Sequence, residues 1–250
     1  MRFKITSALF IITSICCLSF MQDGKKKIVF FGDSITELGV KKGGYIDLLN
    51  NRIASKGQTN QFELLGAGIG GNKIYDLYLR HEEDVIAKKP NIVIIYVGIN
   101  DVWHKTSSRT GTDADKFERF YTALIKKIQK ANAQVVICTP TVIGEKFDNS
   151  NENDGDLNAY AAIIKKIAKD NSLQLIDLRK AFMDYESKNN IENKASGILT
   201  SDRVHLNETG NQFLADTMWD VIKILDSPGV GLIFLIFTTR YTYRRLVSQK

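Results

Sequence analysis

Short apolar segments alternate with amphipathic segments along most of this chain, and that alternation limits its fold more narrowly than any other feature. The apolar segments are residues 28–31, 62–65, 92–97, 135–138 and 173–176. The second and third are nearly continuous in apolar residues, as is typical of parallel strands covered on both faces. Strands that alternate with helices favour a parallel sheet with right-handed crossovers. The sequence therefore predicts an α/β fold, a three-layer α/β/α sandwich around a five-stranded parallel sheet.

The segments between the predicted strands have helical periodicity. Amphipathic patterns cover residues 44–56, 72–88, 157–168 and 213–225. The clearest apolar stripe consists of Phe117, Phe120, Tyr121, Leu124, Ile125 and Ile128. Thr112 and Asp115 precede this stripe with the spacing of a capping box, which predicts where its helix begins. No repeat, low-complexity stretch or linker interrupts the pattern, so residues 26–225 are expected to form one domain.

Polar and glycine-rich motifs follow the predicted strands at the edge where open α/β sheets bind ligands. They are the Gly-Asp-Ser motif at 32–34, the glycine block at 66–72, Gly-Ile-Asn-Asp at 98–101 and Asp-Arg-Val-His at 202–205. A serine between a strand and a helix either caps that helix or presents its hydroxyl beside N–H groups that can stabilise an oxyanion. An aspartate three residues before a histidine can fix the tautomer of the imidazole, so that its other nitrogen acts as a base.

Taken together and in this order, the four motifs resemble those of the SGNH (GDSL-type) serine hydrolases, over about residues 27–225. The resemblance implies a flavodoxin-like hydrolase fold with Ser34 as nucleophile, His205 as general base and Asp202 orienting His205. It also implies an oxyanion hole made of the backbone N–H groups of Ser34 and Gly71 and the side-chain amide of Asn100. Gly70 is the alternative to Gly71 if the alignment slips by one residue. Neither a metal nor a cofactor is implied.

Several other residues compete for roles at this edge. His104 follows Asp101 by three residues in a segment over the site and, with Trp103, is a candidate for lining the substrate pocket. Asp33 is expected to brace the turn beside the nucleophile and is a third lining candidate. His81 falls in the middle of a predicted helix near its apolar stripe, where a structural histidine is the usual interpretation. His205, with Asp202 three residues before it, is favoured as the base over His104 and His81.

The expected reaction is hydrolysis of a carboxylic ester through an acyl-serine intermediate. A short acyl group, such as an O-acetyl group on a carbohydrate, is favoured because residues 103–111 and 139–155 are expected to be polar loops rather than a lid over a long apolar tunnel. A lysophospholipase or thioesterase with the same triad is an alternative. Two rivals from other classes are a metal-dependent phosphoesterase and a non-catalytic module that binds carbohydrate or lipid.

The distribution of charge argues against a nucleic-acid partner. The net charge is +6, but basic residues near the two termini account for all of it: Arg2, Lys4, Arg240, Arg244, Arg245 and Lys250. The body of the protein therefore has no net charge, whereas nucleic-acid binding requires basic residues clustered on the folded body. A small-molecule, carbohydrate or lipid ester is the expected partner, and the sequence indicates no particular oligomeric state.

The two ends of the chain differ in composition from the rest. Residues 1–22 resemble a secretory signal peptide or N-terminal anchor, with Arg2 and Lys4 before an uncharged apolar stretch at 5–20. Cys16 and Cys17 lie where a lipoprotein signal would place its lipidated cysteine. We therefore expect an exported protein that is periplasmic, secreted or lipid-anchored, and its N-terminus is a candidate for membrane association. Residues 226–250 form an extension that is interpreted as an edge strand, a membrane-surface contact or an ill-ordered addition foreign to the family, the last being favoured.

Overall fold

A parallel β-sheet of five strands forms the centre of the protein, for which a computed structural model describes residues 24–226. Its strands are β1 (Lys26–Gly32), β2 (Phe62–Gly68), β3 (Ile92–Tyr96), β4 (Gln134–Cys138) and β5 (Gln174–Ile176). They lie in the order β2-β1-β3-β4-β5, and every neighbouring pair is parallel. The predicted three-layer α/β/α fold is confirmed. The predicted leader and C-terminal extension lie outside the described residues, except for the last residues of the final helix.

Eight α-helices connect or follow these strands within the described part of the chain. They are α1 (Ser34–Gly39), α2 (Tyr45–Ser55), α3 (Ile74–Asp84), α4 (Ile99–Ser107), α5 (Ala114–Lys130), α6 (Asp154–Asp170), α7 (Leu178–Asn189) and α8 (Glu208–Asp226), and a 3₁₀ turn spans Ile86–Lys88. Helix α2 packs against α8, and α5 packs against both α3 and α6. No helix within residues 24–226 has the length and apolar character needed to cross a membrane.

Burial explains why the central strands are so apolar. Every residue of β3 is buried, and in β1 the segment from Ile28 to Gly32 is buried as well. Helices cover both faces, so neither side of these strands can be polar. The stripe predicted for α5 behaves in the same way, since Phe117, Tyr121 and Leu124 are all fully buried. Burying one such side chain contributes about 1.5–3 kcal/mol.

Three local predictions were wrong. Thr112 and Asp115 do not form a capping box, because α5 begins at Ala114 with Asp113 at its N-cap and no side-chain cap hydrogen bond. The Thr112 N–H instead donates to the carbonyl of Asp101, 3.0 Å away, which joins Thr112 to α4. The segment expected to be a polar loop at 103–111 is helical through Ser107. The expected loop at 139–155 ends two residues early, where α6 begins at Asp154.

The register of the sheet brings the ends of four strands to one level. Gly32 at the end of β1 is paired with Gly68 at the end of β2 and with Tyr96 at the end of β3. Tyr96 is in turn paired with Cys138 at the end of β4. The motifs that follow these strands therefore emerge along a single edge of the sheet.

Candidate active site

Ser34, His205 and Asp202 lie in hydrogen-bonding contact at this edge. The Ser34 Oγ atom is 2.9 Å from His205 Nε2, and His205 Nδ1 is 2.7 Å from Asp202 Oδ2. A carboxylate accepts but does not donate, so Nδ1–H donates to Asp202 and Nε2 of the neutral ring is free to accept the Ser34 hydroxyl. The structure thus brings together the three residues that the sequence proposed as nucleophile, base and orienting carboxylate.

A tight turn holds Asp202 and His205 in this arrangement. Asp202 Oδ1 accepts the backbone N–H groups of Val204 (3.1 Å) and His205 (2.7 Å). Arg203, between Asp202 and Val204, has a φ of 82°. Partial burial alone would raise the pKa of the Asp202 carboxyl, but the hydrogen bonds from His205 and Val204 outweigh it, and the pKa lies below its usual value. Asp202 is therefore ionised wherever it is needed to stabilise an imidazolium.

The segment before this turn is anchored by a buried glutamate from a distant loop. Glu145, which is fully buried, accepts the backbone N–H groups of Ile198 (2.8 Å), Leu199 (2.6 Å) and Thr200 (2.6 Å). Three consecutive backbone N–H groups thus converge on one side chain. Thr200 also forms an isolated bridge with Leu206, which closes the turn containing His205. Glu145 therefore fixes the base of the turn that carries the imidazole.

The glycine block beside Ser34 presents a backbone N–H that is not otherwise used. Gly71 has a φ of 75°, a conformation that glycine adopts readily. Within residues 24–226 no hydrogen-bond partner is found for the N–H of Gly71 or for that of Ser34. The N–H of Gly70, the alternative donor, is taken by the Glu37 carboxylate at 2.6 Å. Gly71 is therefore better placed than Gly70 to donate to a ligand.

Asn100 lies in the first turn of α4 and is 4% exposed. Its Nδ2 donates to the carbonyl of Asn72 at 3.1 Å, which ties the side-chain amide to the end of the glycine block. An amide has two N–H donors, so one remains for a ligand. The structure thus joins α4 to the glycine block through the amide that the sequence assigned to the oxyanion hole.

Asp33 lies beneath the site rather than on its open face, since only 1% of it is exposed. Its Oδ1 accepts the N–H of Ile35 at 3.0 Å, as expected for a residue that braces the turn. Oδ2 is buried and has no hydrogen-bond partner among the described residues. Burial raises the pKa of this carboxyl to about 7, against the lowering effects of the Ile35 N–H and of His205.

The remaining two histidines occupy different positions. His104 lies next to the glycine block: a Cβ atom placed on Gly71 would be 3.8 Å from His104 Cε1. Trp103 is half-buried, packs against the core and has its ring centroid 6.0 Å from that of His104. Burial lowers the pKa of His104, and the positive charge of Lys73 lowers it further. His81 is buried, and its Nδ1 is 2.6 Å from the carbonyl of Tyr78 in its own helix.

Sequence reasoning missed Arg80, a residue that supports this site from below. Its Nη2 donates to the carbonyls of Gly32 (2.8 Å) and Ala67 (3.0 Å), at the ends of β1 and β2. Its Nε donates to the side chain of Asn72 at 2.7 Å, and the guanidinium lies 4.6 Å from the centroid of the Phe31 ring. Arg80 thus joins the two strand ends that carry Ser34 and Gly71. No sequence spacing indicates such a role, nor that of Glu145.

The Ser34 hydroxyl is thus paired with the His205 imidazole, and the N–H groups of Ser34 and Gly71 have no partner among the described residues. Within the described part of the chain, no three side chains of His, Cys, Asp and Glu come together as metal ligands. Cys138 is buried at the end of β4, and burial raises the pKa of its thiol above its usual value.

Comparisons with known proteins agree with this geometry. Residues 30–213 match the GDSL-like Lipase/Acylhydrolase family. A crystal structure of the acetyl xylan esterase AlAXEase is 62% identical, covers 78% of this chain and 99% of its own, and superposes with a TM-score of 0.78. The acetylxylan esterase of Geobacillus stearothermophilus is 27% identical over 208 residues, which are 76% of this chain and 90% of that protein. An uncharacterised lipoprotein of Bacillus subtilis (strain 168), YqeF, is 22% identical over 79% of this chain and 89% of its own.

Proposed function

The chain belongs to the GDSL-like lipase/acylhydrolase family, and from that premise we propose that it removes O-acetyl groups from carbohydrates through an acyl-serine intermediate. As a family member with esterase relatives it is a serine ester hydrolase. The observation that carries the proposal is the relay in which Ser34 Oγ, the His205 ring and the Asp202 carboxylate follow one another at 2.9 and 2.7 Å.

This relay supports the following roles in acylation. Serine is a weak nucleophile at its own pKa and needs an adjacent base. His205 Nε2 takes the hydroxyl proton as Ser34 Oγ attacks the acetyl carbonyl, and Asp202 stabilises the imidazolium that forms. When the tetrahedral intermediate collapses, the bond from the acyl carbon to the sugar oxygen breaks. His205 then passes its proton to that oxygen, which leaves acetyl-Ser34 and a free sugar hydroxyl.

Deacylation uses the same groups with water as nucleophile. His205 Nε2 removes a proton from water, the resulting oxygen attacks the acetyl carbon, and the proton returns to Ser34 Oγ as acetate leaves. In both steps we assign stabilisation of the oxyanion to the N–H groups of Ser34 and Gly71 and the amide of Asn100. The unused N–H groups in the glycine block and on α1 support this assignment.

An acetyl group on a xylan-type carbohydrate is favoured over other esters for two reasons. The relatives at 62% and 27% identity are both named as acetylxylan esterases. The second reason is a groove of about 870 Å³ that runs between the α1–α2 connection and the start of α8. Its walls include Leu38, one turn after Ser34, and Leu206, next to His205 in the chain, whereas Ser34, Asp202 and His205 themselves lie outside its lining.

The character of this groove suits the sugar chain better than the acyl chain. Its walls carry the polar side chains of Lys41, Thr209 and Gln212, and the aromatic rings of Tyr185 and Phe213. The two rings pack with their centroids 4.8 Å apart. Polar hydrogen-bonding groups next to an aromatic surface match the alternating hydroxyl and C–H faces of a sugar. We therefore assign the alcohol side of the substrate to this groove.

We also propose that the protein is exported and held at a membrane through its N-terminus. The support is the charged and apolar leader at 1–22 with Cys16 and Cys17, together with the relative named as a lipoprotein. Metabolic labelling with a radioactive fatty acid tests the anchored form: loss of label in a variant lacking both cysteines supports lipidation. A cytosolic wild-type protein after cell fractionation contradicts export.

The substrate proposal is tested by comparing two sets of esters. A series of p-nitrophenyl esters from acetate to palmitate gives the acyl preference, and acetylated xylo-oligosaccharides give the preference for the alcohol. We expect acetate to exceed octanoate in kcat/KM and the oligosaccharides to release acetate. An octanoate preference would favour the lysophospholipase alternative, and faster cleavage of acyl-thiols would favour a thioesterase.

The same preparation tests the two rivals. Loss of activity on treatment with a chelator would indicate the metal-dependent phosphoesterase, whereas unchanged activity agrees with the serine mechanism. Binding of xylo-oligosaccharides without turnover would indicate a non-catalytic module.

A further inference from the structure

Two charged side chains flank the peptide unit that carries the Gly71 N–H. This unit joins Gly70 to Gly71, and the units on either side of it are each held by one side chain. On one side, the Glu37 carboxylate accepts the N–H of Gly70 at 2.6 Å. On the other, the Lys73 ammonium donates to the carbonyl of Gly71 at 3.1 Å. The central unit itself has no side chain on either residue to restrain it.

A Gly-Gly pair needs such restraint more than any other dipeptide. Glycine populates positive and negative φ about equally, so the Gly70–Gly71 unit can turn over and direct its carbonyl, rather than its N–H, at the nucleophile. A Cβ atom on Gly70 would lie 3.9 Å from Ser34 Cβ and 3.1 Å from Glu37 Oε2. The unit therefore lies beside Ser34, and its orientation would decide whether an oxyanion there meets a donor or an acceptor.

The backbone of Glu37 and the side chain of Lys73 are themselves held in place. Glu37 lies on α1, and its own N–H donates to the carbonyl of Asp33 at 2.9 Å, so its position is tied to that of Ser34. The α1 backbone also abuts the glycine block, since a Cβ on Gly68 would lie 2.1 Å from the Glu37 nitrogen. Lys73 is only 7% exposed, and its ammonium is 3.8 Å from Asp76.

We propose that Glu37 and Lys73 are positioning residues that hold the Gly70–Gly71 peptide with the Gly71 N–H directed at the substrate oxyanion. Neither contacts the reacting atoms in this arrangement, and each acts through the backbone. The proposal rests on the proposed function, because it needs an ester bound at Ser34. According to the proposal, the exposed Glu37 on α1 and the buried Lys73 before α3 determine the rate of the chemical step.

The test is a set of single variants assayed with p-nitrophenyl acetate. For Glu37→Ala we expect kcat to fall about 10- to 100-fold, less than for removal of a hole donor itself, with KM within about twofold and an unchanged melting temperature. Glu37→Gln should recover most of the loss, because its amide oxygen still accepts the Gly70 N–H. Lys73→Met should lower kcat in the same way and Lys73→Arg should recover it. Glu83→Ala, an exposed glutamate on α3 away from this loop, is the matched control.

A second measurement separates positioning from a general structural role. A fluorophosphonate forms a tetrahedral phosphonyl adduct whose oxygen also occupies the oxyanion hole, so its rate of reaction with Ser34 should fall in parallel with kcat in Glu37→Ala. The proposal is overturned if kcat of Glu37→Ala stays within twofold of wild type. It is also overturned if the loss accompanies a lower melting temperature and Glu37→Gln does not restore it. Failure of the proposed function is distinct, since the wild-type protein itself would then release no acetate.

Discussion

The Nε2 atom of His205 lies 2.9 Å from the Oγ atom of Ser34, although 171 positions separate the two residues in the chain. Ser34 follows strand β1, and His205 belongs to the turn that leads into α8. The contact exists because the parallel sheet brings its strand ends to one edge, and because Glu145 holds the segment before His205 in place.

Replacing Asp202 with asparagine should lower kcat without unfolding the protein. In the wild-type protein the N–H groups of Val204 and His205 donate to Asp202 Oδ1. Asparagine retains an oxygen that can accept both. It removes the charge that stabilises the imidazolium and favours the wrong tautomer of His205. We expect a loss of about 10²- to 10⁴-fold in kcat, measured with p-nitrophenyl acetate. A loss below threefold would mean that Asp202 does not serve His205.

Replacing Asn100 with alanine should remove one donor from the oxyanion hole. The expected loss is about 10²- to 10³-fold in kcat, with little change in KM. Because Asn100 also donates to the carbonyl of Asn72, the melting temperature is measured alongside. Asn51→Ala, which removes an exposed asparagine on α2 away from the site, is the comparison variant. Equal losses in the two variants would contradict a direct role for the Asn100 amide.

A bulky side chain in the groove should slow hydrolysis of acetylated xylo-oligosaccharides more than hydrolysis of p-nitrophenyl acetate. Thr209 is exposed on the first turn of α8 and lines the groove, so Thr209→Trp introduces bulk there without disturbing the core. We expect the ratio of kcat/KM for acetylated xylo-oligosaccharides to that for p-nitrophenyl acetate to fall about tenfold. Lys126→Trp, on the exposed face of α5, serves as the control. An unchanged ratio would place the sugar elsewhere.

The stability of the protein should decrease as pH rises, in part because of Glu186. This residue is fully buried on α7, and neither carboxylate oxygen has a hydrogen-bond partner among the described residues. Burial, followed by the negative charge of Glu145, raises the pKa of Glu186 from 4.5 to about 9. Between these values the folded protein keeps a proton that the unfolded chain releases, so the free energy of unfolding falls as pH increases through this window.

Glu186→Gln should remove that contribution, because the amide is neutral throughout. The free energy of unfolding is measured with urea for the variant and the wild type at pH 5 and at pH 8. We expect the difference between variant and wild type to shift by roughly 1–3 kcal/mol in favour of the variant from pH 5 to pH 8. Glu152→Gln, at an exposed position, should show the wild-type dependence. If Glu186→Gln retains the same slope of stability against pH, the buried carboxyl is not the cause.

The sequence was sufficient to predict the sheet and the residues that meet at its edge. Apolar strands and helical stripes are local patterns, and four motifs in a known order identified Ser34, Asp202, His205 and Asn100 as a group. The helix α4 was missed because Asn100 and Asp101 have the composition of a turn. Gly98, with a φ of 134°, makes the turn two residues earlier and lets the helix begin at Ile99.

The supporting residues could not be predicted, because their contacts depend on the folded chain alone. Glu37 reaches Gly70 across 33 positions, Arg80 reaches Gly32 across 48, and Glu145 reaches Ile198 across 53. No periodicity or motif links such pairs. The predicted capping box at Thr112 was wrong for the same reason. The Thr112 N–H donates to the carbonyl of Asp101, and the local contact with Asp115 does not form.

The most direct test of the central claim is the mass of the intact protein after reaction with a fluorophosphonate. The account predicts one adduct per chain, located on Ser34 by peptide mapping, absent in Ser34→Ala and formed far more slowly in His205→Ala. Ester hydrolysis and labelling should disappear together in Ser34→Ala. An adduct on another residue, or a Ser34→Ala variant that still hydrolyses p-nitrophenyl acetate at the wild-type rate, would contradict it.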